Sequence, residues 1–316
     1  MHVISAEQVD AALDFPALID ALAAGFAAPF EMPARQLLAL SPSRSADCLG
    51  LLPAWTERLI GLKAFTYLPG NAAQGEPVLH AQVLVFDRRD GRPLAQLEGR
   101  SITRWRTAAV SALASRLLSR PDARRLLLLG TGELACPLVQ AHLAVRPLEE
   151  VRIWGRRPAQ AAARVETLRS LGVPAALAVA VDLAAAQPSA DLIVAATGAG
   201  EPLVFGELVP PGCHVDLLGN HRPDQRECDA ALVQRARVYV DSRANALGEA
   251  GELILPLQQG LVDLDHILGE LADLCRLPHP PQRAPGDVTL FKSVGTALAD
   301  LLCAQRVLTR LGLLEP

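Results

Sequence analysis

The stretch Leu126-Leu127-Leu128-Leu129-Gly130-Thr131-Gly132-Glu133-Leu134-Ala135 constrains the fold more than any other. Arg125–Leu129 is short and almost wholly apolar, which predicts a strand buried on both faces, and Glu133–Val145 follows as a helical stretch. Between them Gly130 permits a tight turn, Gly132 lets backbone approach a pyrophosphate, and Ala135 lets the helix pack closely on the strand. The first amides of such a helix have no partner within it and are offered to an anion. Thr131, Glu133 and Leu134 complete this turn and are expected, with the two glycines, to bind the cofactor. A Gly-x-Gly-x-x-Ala turn alone is weak evidence. Here it follows a strand, opens a helix and begins an alternating series, which is the context a dinucleotide site needs.

The series continues with a strand at Val151–Trp154, a helix opened by Pro158, and short apolar strands at Asp191–Ala196, His214–Leu218 and Val238–Asp241. Such alternation predicts an α/β unit of the Rossmann type, a doubly wound parallel sheet. The first hundred residues have another rhythm. Ser5 and Gln8 form a possible capping box, and Phe15–Ala27 carries Leu18, Ile19, Leu22 and Phe26 at helical spacing. Strand-like runs follow at Gln36–Leu40, Leu49–Leu52, Ile60–Tyr67 and Ala81–Phe86, and Asp90-Gly91 turns into Pro93–Leu97. This predicts a helix-flanked antiparallel sheet, an α+β domain. A helix over Ile102–Leu118 is ended by Pro121, Leu277–Pro285 reads as a Pro-rich loop, and Ser293–Leu311 reads as an amphipathic helix closed by Gly312. The 316 residues suffice for two domains, and the expected division is 1–119 together with 293–316 against 120–292.

A net charge of −4, with basic residues scattered apart from pairs such as Arg124-Arg125 and Arg156-Arg157, gives no reason to expect nucleic acid. The amino terminus lacks a signal-peptide pattern, and no apolar run reaches the roughly 18 residues of a membrane span. Gly-x-Ser-x-Gly and P-loop motifs are absent. None of the six cysteines is paired as Cys-x-x-Cys or spaced with a histidine for zinc, so no metal and a reducing, cytoplasmic setting are expected.

The second strand of the series ends Ile153-Trp154-Gly155-Arg156-Arg157. An acid at that end would hold the ribose 2′-OH of NAD. Gly155 stands there instead and leaves room, and Arg156 or Arg157 can pair with a 2′-phosphate, so NADP is preferred. NAD held through other contacts, with both arginines solvated, is the alternative.

Several stretches then occur in an order that resembles the ornithine cyclodeaminase/μ-crystallin family across nearly the whole chain. They are Met32-Pro33-Ala34-Arg35, Gly61-Leu62-Lys63, Thr103-Arg104-Trp105-Arg106-Thr107-Ala108-Ala109, Gly130-Thr131-Gly132, Ala196-Thr197, Arg226-Glu227-Cys228-Asp229, Val240-Asp241-Ser242 and Phe291-Lys292-Ser293-Val294-Gly295. The resemblance implies a homodimer, with a substrate and dimerisation domain built from the amino-terminal part and the last helix around a Rossmann domain. It implies Arg35, Lys63 and Arg106 as substrate-binding residues for a small amino or imino acid. Guanidinium groups grip a carboxylate in a planar, two-pronged way, and a fixed carboxylate places the α-carbon against the nicotinamide. Lys63 can bind the same carboxylate or influence the proton on the substrate nitrogen. Thr197, Gly219, Ser293 and Val294 are expected beside the cofactor, and Lys292 either there or as a surface charge at a helix start.

The family's cyclodeaminases carry Gly-x-Asp at the turn after the fifth Rossmann strand. Here that turn is Gly219-Asn220-His221, and Arg222-Pro223-Asp224 is more similar to the ketimine reductases. The expected activity is therefore NAD(P)-dependent reduction of a cyclic ketimine such as 1-pyrroline-2-carboxylate. Ornithine cyclodeamination, an alanine dehydrogenase-like reaction and dinucleotide binding without turnover are the other readings. His221 is expected as a proton donor or polar orienter, with an exposed loop histidine as the alternative. Asp224 and Glu227 are expected to fix the loop or cap the helix near Asp229.

Overall fold

The computed structural model describes residues 1–41 and 47–315. The chain divides into two compact units, Met1–Thr107 with Thr296–Pro316, and Ala108–Gly295. The junctions differ from the expected 119/120 and 292/293. The first falls inside a helix rather than at its end. Beyond it, Ser111 Oγ donates to Asp216 and Ser115 Oγ lies 3.0 Å from His142 Nε2, which ties that half of the helix to the second unit.

The first unit contains β1 (His2–Ile4), α1 (Ala6–Ala12), α2 (Phe15–Ala27), β2 (Gln36–Ala39), β3 (Cys48–Trp55), β4 (Leu59–Tyr67), β5 (Leu79–Asp87), β6 (Pro93–Glu98) and the start of α3 (Gly99–Leu118). The strands form one sheet in the order β1-β6-β5-β4-β3-β2. β2 to β6 pair antiparallel as the alternation required, while the unforeseen β1 joins β6 in parallel. Ser5 and Gln8 do form the capping box of α1, and Asp14 caps α2. The C-terminal helix, Ala297–Arg310, packs on α2, β3, β4 and β5. It starts four residues later than expected because Thr296 caps it by accepting from Ala299 N.

The second unit contains β7 (Arg125–Leu129), α4 (Ala135–Leu143), β8 (Glu150–Trp154), α5 (Pro158–Ser170), β9 (Ala176–Val179), α6 (Leu183–Ala186), β10 (Leu192–Ala195), β11 (His214–Leu217), α7 (Ala230–Arg235), β12 (Arg237–Val240), α8 (Arg243–Glu249), α9 (Gly251–Gln258), β13 (Ile267–Glu270), α10 (Leu271–Arg276) and β14 (Thr289–Lys292). Its eight strands are ordered β13-β12-β14-β11-β10-β7-β8-β9, and every pair is parallel. Every residue of β10, β11 and β14 is buried, as expected where a parallel sheet is covered on both faces. From β7 the chain builds outward through β8 and β9, then returns to β10 on the other side. That reversal is the topological switch point, where open parallel sheets bind their ligands beyond the strand carboxyl ends.

Candidate active site

In β4 the residues Leu59, Gly61 and Lys63 alternate inward. Lys63 therefore points to the buried face, opposite Leu52 of β3 and Val83 of β5, although it is a cation. Thr103 and Arg106 lie three residues apart on α3 and share one face of it. Asp300 lies in the first turn of the C-terminal helix, where the helix dipole favours an anion.

These elements bring three charges together under protein: Lys63 is 4% exposed, Arg106 8% and Asp300 1%. Asp300 Oδ1 accepts from Lys63 Nζ at 3.1 Å and from Arg106 Nε at 3.0 Å. Lys63 Nζ also donates to Thr103 Oγ1 at 2.5 Å, and that hydroxyl donates to Gly99 O. Burial pulls the Lys63 ammonium down to about 8, with Arg106 adding to the fall and Asp300 opposing it. Asp300 was not singled out in the sequence. Its signal was a lone acid inside the apolar run Ala297–Ala304, a setting that demands a buried cationic partner. Gly61 lets the helix come close, since a Cβ there would lie 2.9 Å from Leu301 Cδ1. Arg35, half-buried, immediately precedes β2, with β3 between that strand and β4.

In the second unit, Gly130 has φ of +121°, and a Cβ on it would lie 2.5 Å from Ala196 O at the end of β10. Only glycine fits at this switch point. At Gly132 an added Cβ would meet nothing within 4 Å. Protein packing does not demand that glycine, whereas close approach of a pyrophosphate does. Ala135 is 2% exposed and seats α4 on the sheet. The turn therefore fits a dinucleotide. Thr131 ties it to α5, donating to Gln160 Oε1 at 3.2 Å and accepting at its carbonyl from Arg164 Nε at 2.9 Å. At Gly155 a Cβ would lie 2.6 Å from Thr131 Cγ2, so an acid there would press on the turn itself. Arg156 and Arg157 are exposed, and neither pairs with another of the described residues.

Four residues expected beside the cofactor, Thr197, Gly219, Ser293 and Val294, are also engaged within the protein. Glu227, 0% exposed, accepts Thr197 N at 2.8 Å and Thr197 Oγ1 at 2.7 Å on one oxygen, and Gly219 N at 2.7 Å on the other. A Cβ at Gly219 would lie 2.0 Å from Thr197 O, so close backbone packing accounts for that glycine. Asp241 Oδ2 accepts Ser293 Oγ at 2.8 Å and the amides of Val294 and Gly295 at 3.0 and 2.6 Å. The carboxylates of Glu227 and Asp241 thus shape the loops after β10, β11 and β14 from behind. Burial pushes the Glu227 carboxyl up, and Lys292 opposes that rise.

Lys292 is no surface charge. It is 0% exposed, donates to Asn220 O at 2.6 Å and stands 3.3 Å from Glu252 Oε2. The chain has only two lysines, Lys63 and Lys292, and both are buried. His221 is exposed on the loop after β11. Its neighbour Asn220 is 3% exposed and carries a side-chain nitrogen without a hydrogen-bond partner among the described residues. Asp224 pairs on the surface with Arg222 at 3.4 Å, and the cap of α7 is Asp229 itself, accepting from Leu232 N.

The model of the ornithine cyclodeaminase/mu-crystallin family matches residues 1–312. A Delta(1)-pyrroline-2-carboxylate reductase of Colwellia psychrerythraea is 47% identical over 314 residues, covering 98% of this chain and 99% of the relative. The ketimine reductase mu-crystallin of Mus musculus is 36% identical, covering 82% and 79%. Among solved structures, the Thermococcus litoralis Delta(1)-pyrroline-2-carboxylate reductase, in complex with NADH and L-proline, superposes with a TM-score of 0.91 at 26% identity, covering 98% and 97%. With its motifs, its parallel sheet and these relatives in agreement, the chain belongs to the ornithine cyclodeaminase/mu-crystallin family.

Proposed function

We propose that this chain is an NAD(P)H-dependent reductase of small cyclic ketimine carboxylates, with reduction of 1-pyrroline-2-carboxylate to proline as its reference reaction. The observation that carries this reading is the buried pairing of Lys63 and Arg106 on one oxygen of Asp300. Two cations on one carboxylate retain a net positive charge for the carboxylate of a substrate, and Arg106 brings the planar fork suited to it. The relatives named for pyrroline-2-carboxylate and ketimine reduction support the same chemistry.

Arg106 and Lys63 hold the substrate carboxylate, and Arg35 completes the set of basic residues. A dinucleotide whose pyrophosphate is held at the Gly130 turn would supply a hydride from its nicotinamide. A C–H bond forms at the imine carbon as the C=N π pair moves to nitrogen, which keeps or takes up a proton. Lys63, with its ammonium lowered to about 8, is poised near neutrality to supply that proton. We assign the role to Lys63 rather than to the exposed His221.

Gly155, with Arg156 and Arg157 exposed and paired with none of the described residues, supports NADPH as the preferred donor. His221, standing where the cyclodeaminases' Gly-x-Asp has its acid, supports reduction over ornithine cyclodeamination. A homodimer formed through the first unit is supported by the edge strand β2 and its flank, where Leu37, Leu38 and Leu40 are 50%, 47% and 53% exposed. Six free thiols support a reducing, cytoplasmic location. The test is the fall of NADPH and NADH absorbance when purified protein is given 1-pyrroline-2-carboxylate, with ammonia release from ornithine followed in parallel. Ammonia release without net cofactor oxidation would replace this reading with cyclodeamination.

A further inference from the structure

The unexplained member of the buried cluster is Asp300. It touches both cations through a single oxygen, while Oδ2 is buried with no hydrogen-bond partner among the described residues. Leaving a buried carboxylate oxygen unsatisfied is unfavourable, and such groups in native proteins point to a role beyond packing. Resting on the reading above, we infer that Asp300 is a positioning residue for ketimine reduction. It holds Lys63 Nζ and Arg106 Nε as a pair with one net positive charge, matched to the single carboxylate of the substrate.

Asp300 acts on Lys63 through charge and through geometry. Without Asp300, two like charges would face each other under protein, an arrangement that disfavours the charged form of the weaker one. Arginine stays protonated, so Lys63 would give up its proton. Geometry enters because Asp300 and Thr103 together fix where Nζ points. The groups facing Lys63 are Asp300 and Cys303 from the C-terminal helix and Thr103 and Arg106 from α3, while its strand neighbours Leu52 and Val83 are apolar. Burial pushes the Cys303 thiol far up, which keeps it neutral. Asp300 is therefore the one anion that sustains the Lys63 charge among these neighbours.

The chain's composition supplies a direct readout. With two lysines in the sequence, protein carrying 13Cε-lysine gives two side-chain signals, and Lys63→Arg assigns them. In the full-length protein the Lys63 signal should titrate near 8. In Asp300→Asn its midpoint should fall by at least about one unit, and in Asp300→Glu it should stay within about half a unit of the parent. The same Asp300→Asn protein should bind L-proline roughly tenfold or more weakly, with NADPH affinity changed less than about twofold. In turnover assays the basic limb of the kcat/KM profile should move down in pH with the Lys63 signal.

An unchanged Lys63 midpoint in Asp300→Asn overturns the inference, as does an equal loss of NADPH and proline binding. Should Asp300→Asn not fold, Asp300→Glu and the parent decide, and a parent Lys63 titrating near the ordinary lysine value of about 10.4 overturns it. Normal titration shifts without turnover of any ketimine would instead overturn the assigned reaction and leave the pairing intact.

Discussion

Replacing Lys63 with methionine separates what this residue does for chemistry from what it does to the fold. Methionine keeps the unbranched shape and removes the charge from an inward position of β4. Arg106 remains on Asp300 at 3.0 Å, so no buried carboxylate is abandoned. Burial lowers the folded Lys63 ammonium from 10.5 to about 8. The sign follows from which state binds more protons. Between those values the unfolded chain holds the proton and the folded chain has released it, so this residue makes stability rise with pH across that window. Below it, where both states are protonated, the residue opposes folding by about 3 kcal/mol, the 2.5-unit difference at 1.36 kcal/mol per unit. Raising pH from about 7 to about 9.5 should relieve about 2 kcal/mol of this.

The assay is urea unfolding of the parent and Lys63→Met across that range. Subtracting one from the other cancels the groups common to both. The variant should be the more stable protein near neutrality, its advantage shrinking by about 2 kcal/mol as pH rises. It should also lose most ketimine reduction while still binding NADPH. A difference that stays flat with pH would refute the claim that a cation is held at a cost in this core. A difference that grows would mean that Asp300 more than compensates for burial.

Arg106→Ala should lower kcat/KM by roughly 10- to 150-fold, the loss expected for one charge-assisted contact of about 1.5–3 kcal/mol. Dinucleotide affinity, followed by fluorescence titration, should barely move, and a parallel fall in both would undo the assignment of the cluster to substrate. Arg156→Ala or Arg157→Ala should weaken NADPH roughly tenfold and NADH much less; equal losses would remove the 2′-phosphate argument. Gly130→Ala combines a left-handed φ with contact on Ala196 O. It should lower the thermal midpoint, at a cost of about 1–3 kcal/mol, and abolish NADPH binding. Normal binding in that variant would disprove the role given to the turn.

Much of this architecture was legible because its signals are local. β7 and its glycine turn, the antiparallel run β2 to β6 and helix α3 each carry a period, a turn pair or a stop that a short window contains. β1, β9, β13 and β14 did not show themselves: each is three or four residues long and, unlike the equally short β10, β11 and β12, none stood apart as a separate apolar run. β14 also follows a proline-rich loop and sits centrally between β11 and β12. The cation pair was found through family resemblance, while its counter-ion came from a helix about two hundred residues farther along. Thr197, Gly219, Ser293 and Val294 were read as lying beside the cofactor, and the structure adds contacts within the protein for each. Their partners are Glu227 and Asp241, carboxylates that lie behind the loops and satisfy backbone amides. A sequence displays such acids without showing which amides they meet, and it displayed Lys292 without its burial for the same reason.

The order of the parallel sheet also bears on how the molecule is made. The chain lays down β11, then β12 and β13, and only afterwards fills the position between β11 and β12 with β14. The other unit likewise lacks its covering helix until Ala297–Arg310 emerges. On a ribosome, both halves must therefore wait, unfinished, for the stretch from Thr289 to Arg310, and a nascent protein stalled before it would expose two raw strand edges and an uncovered apolar sheet.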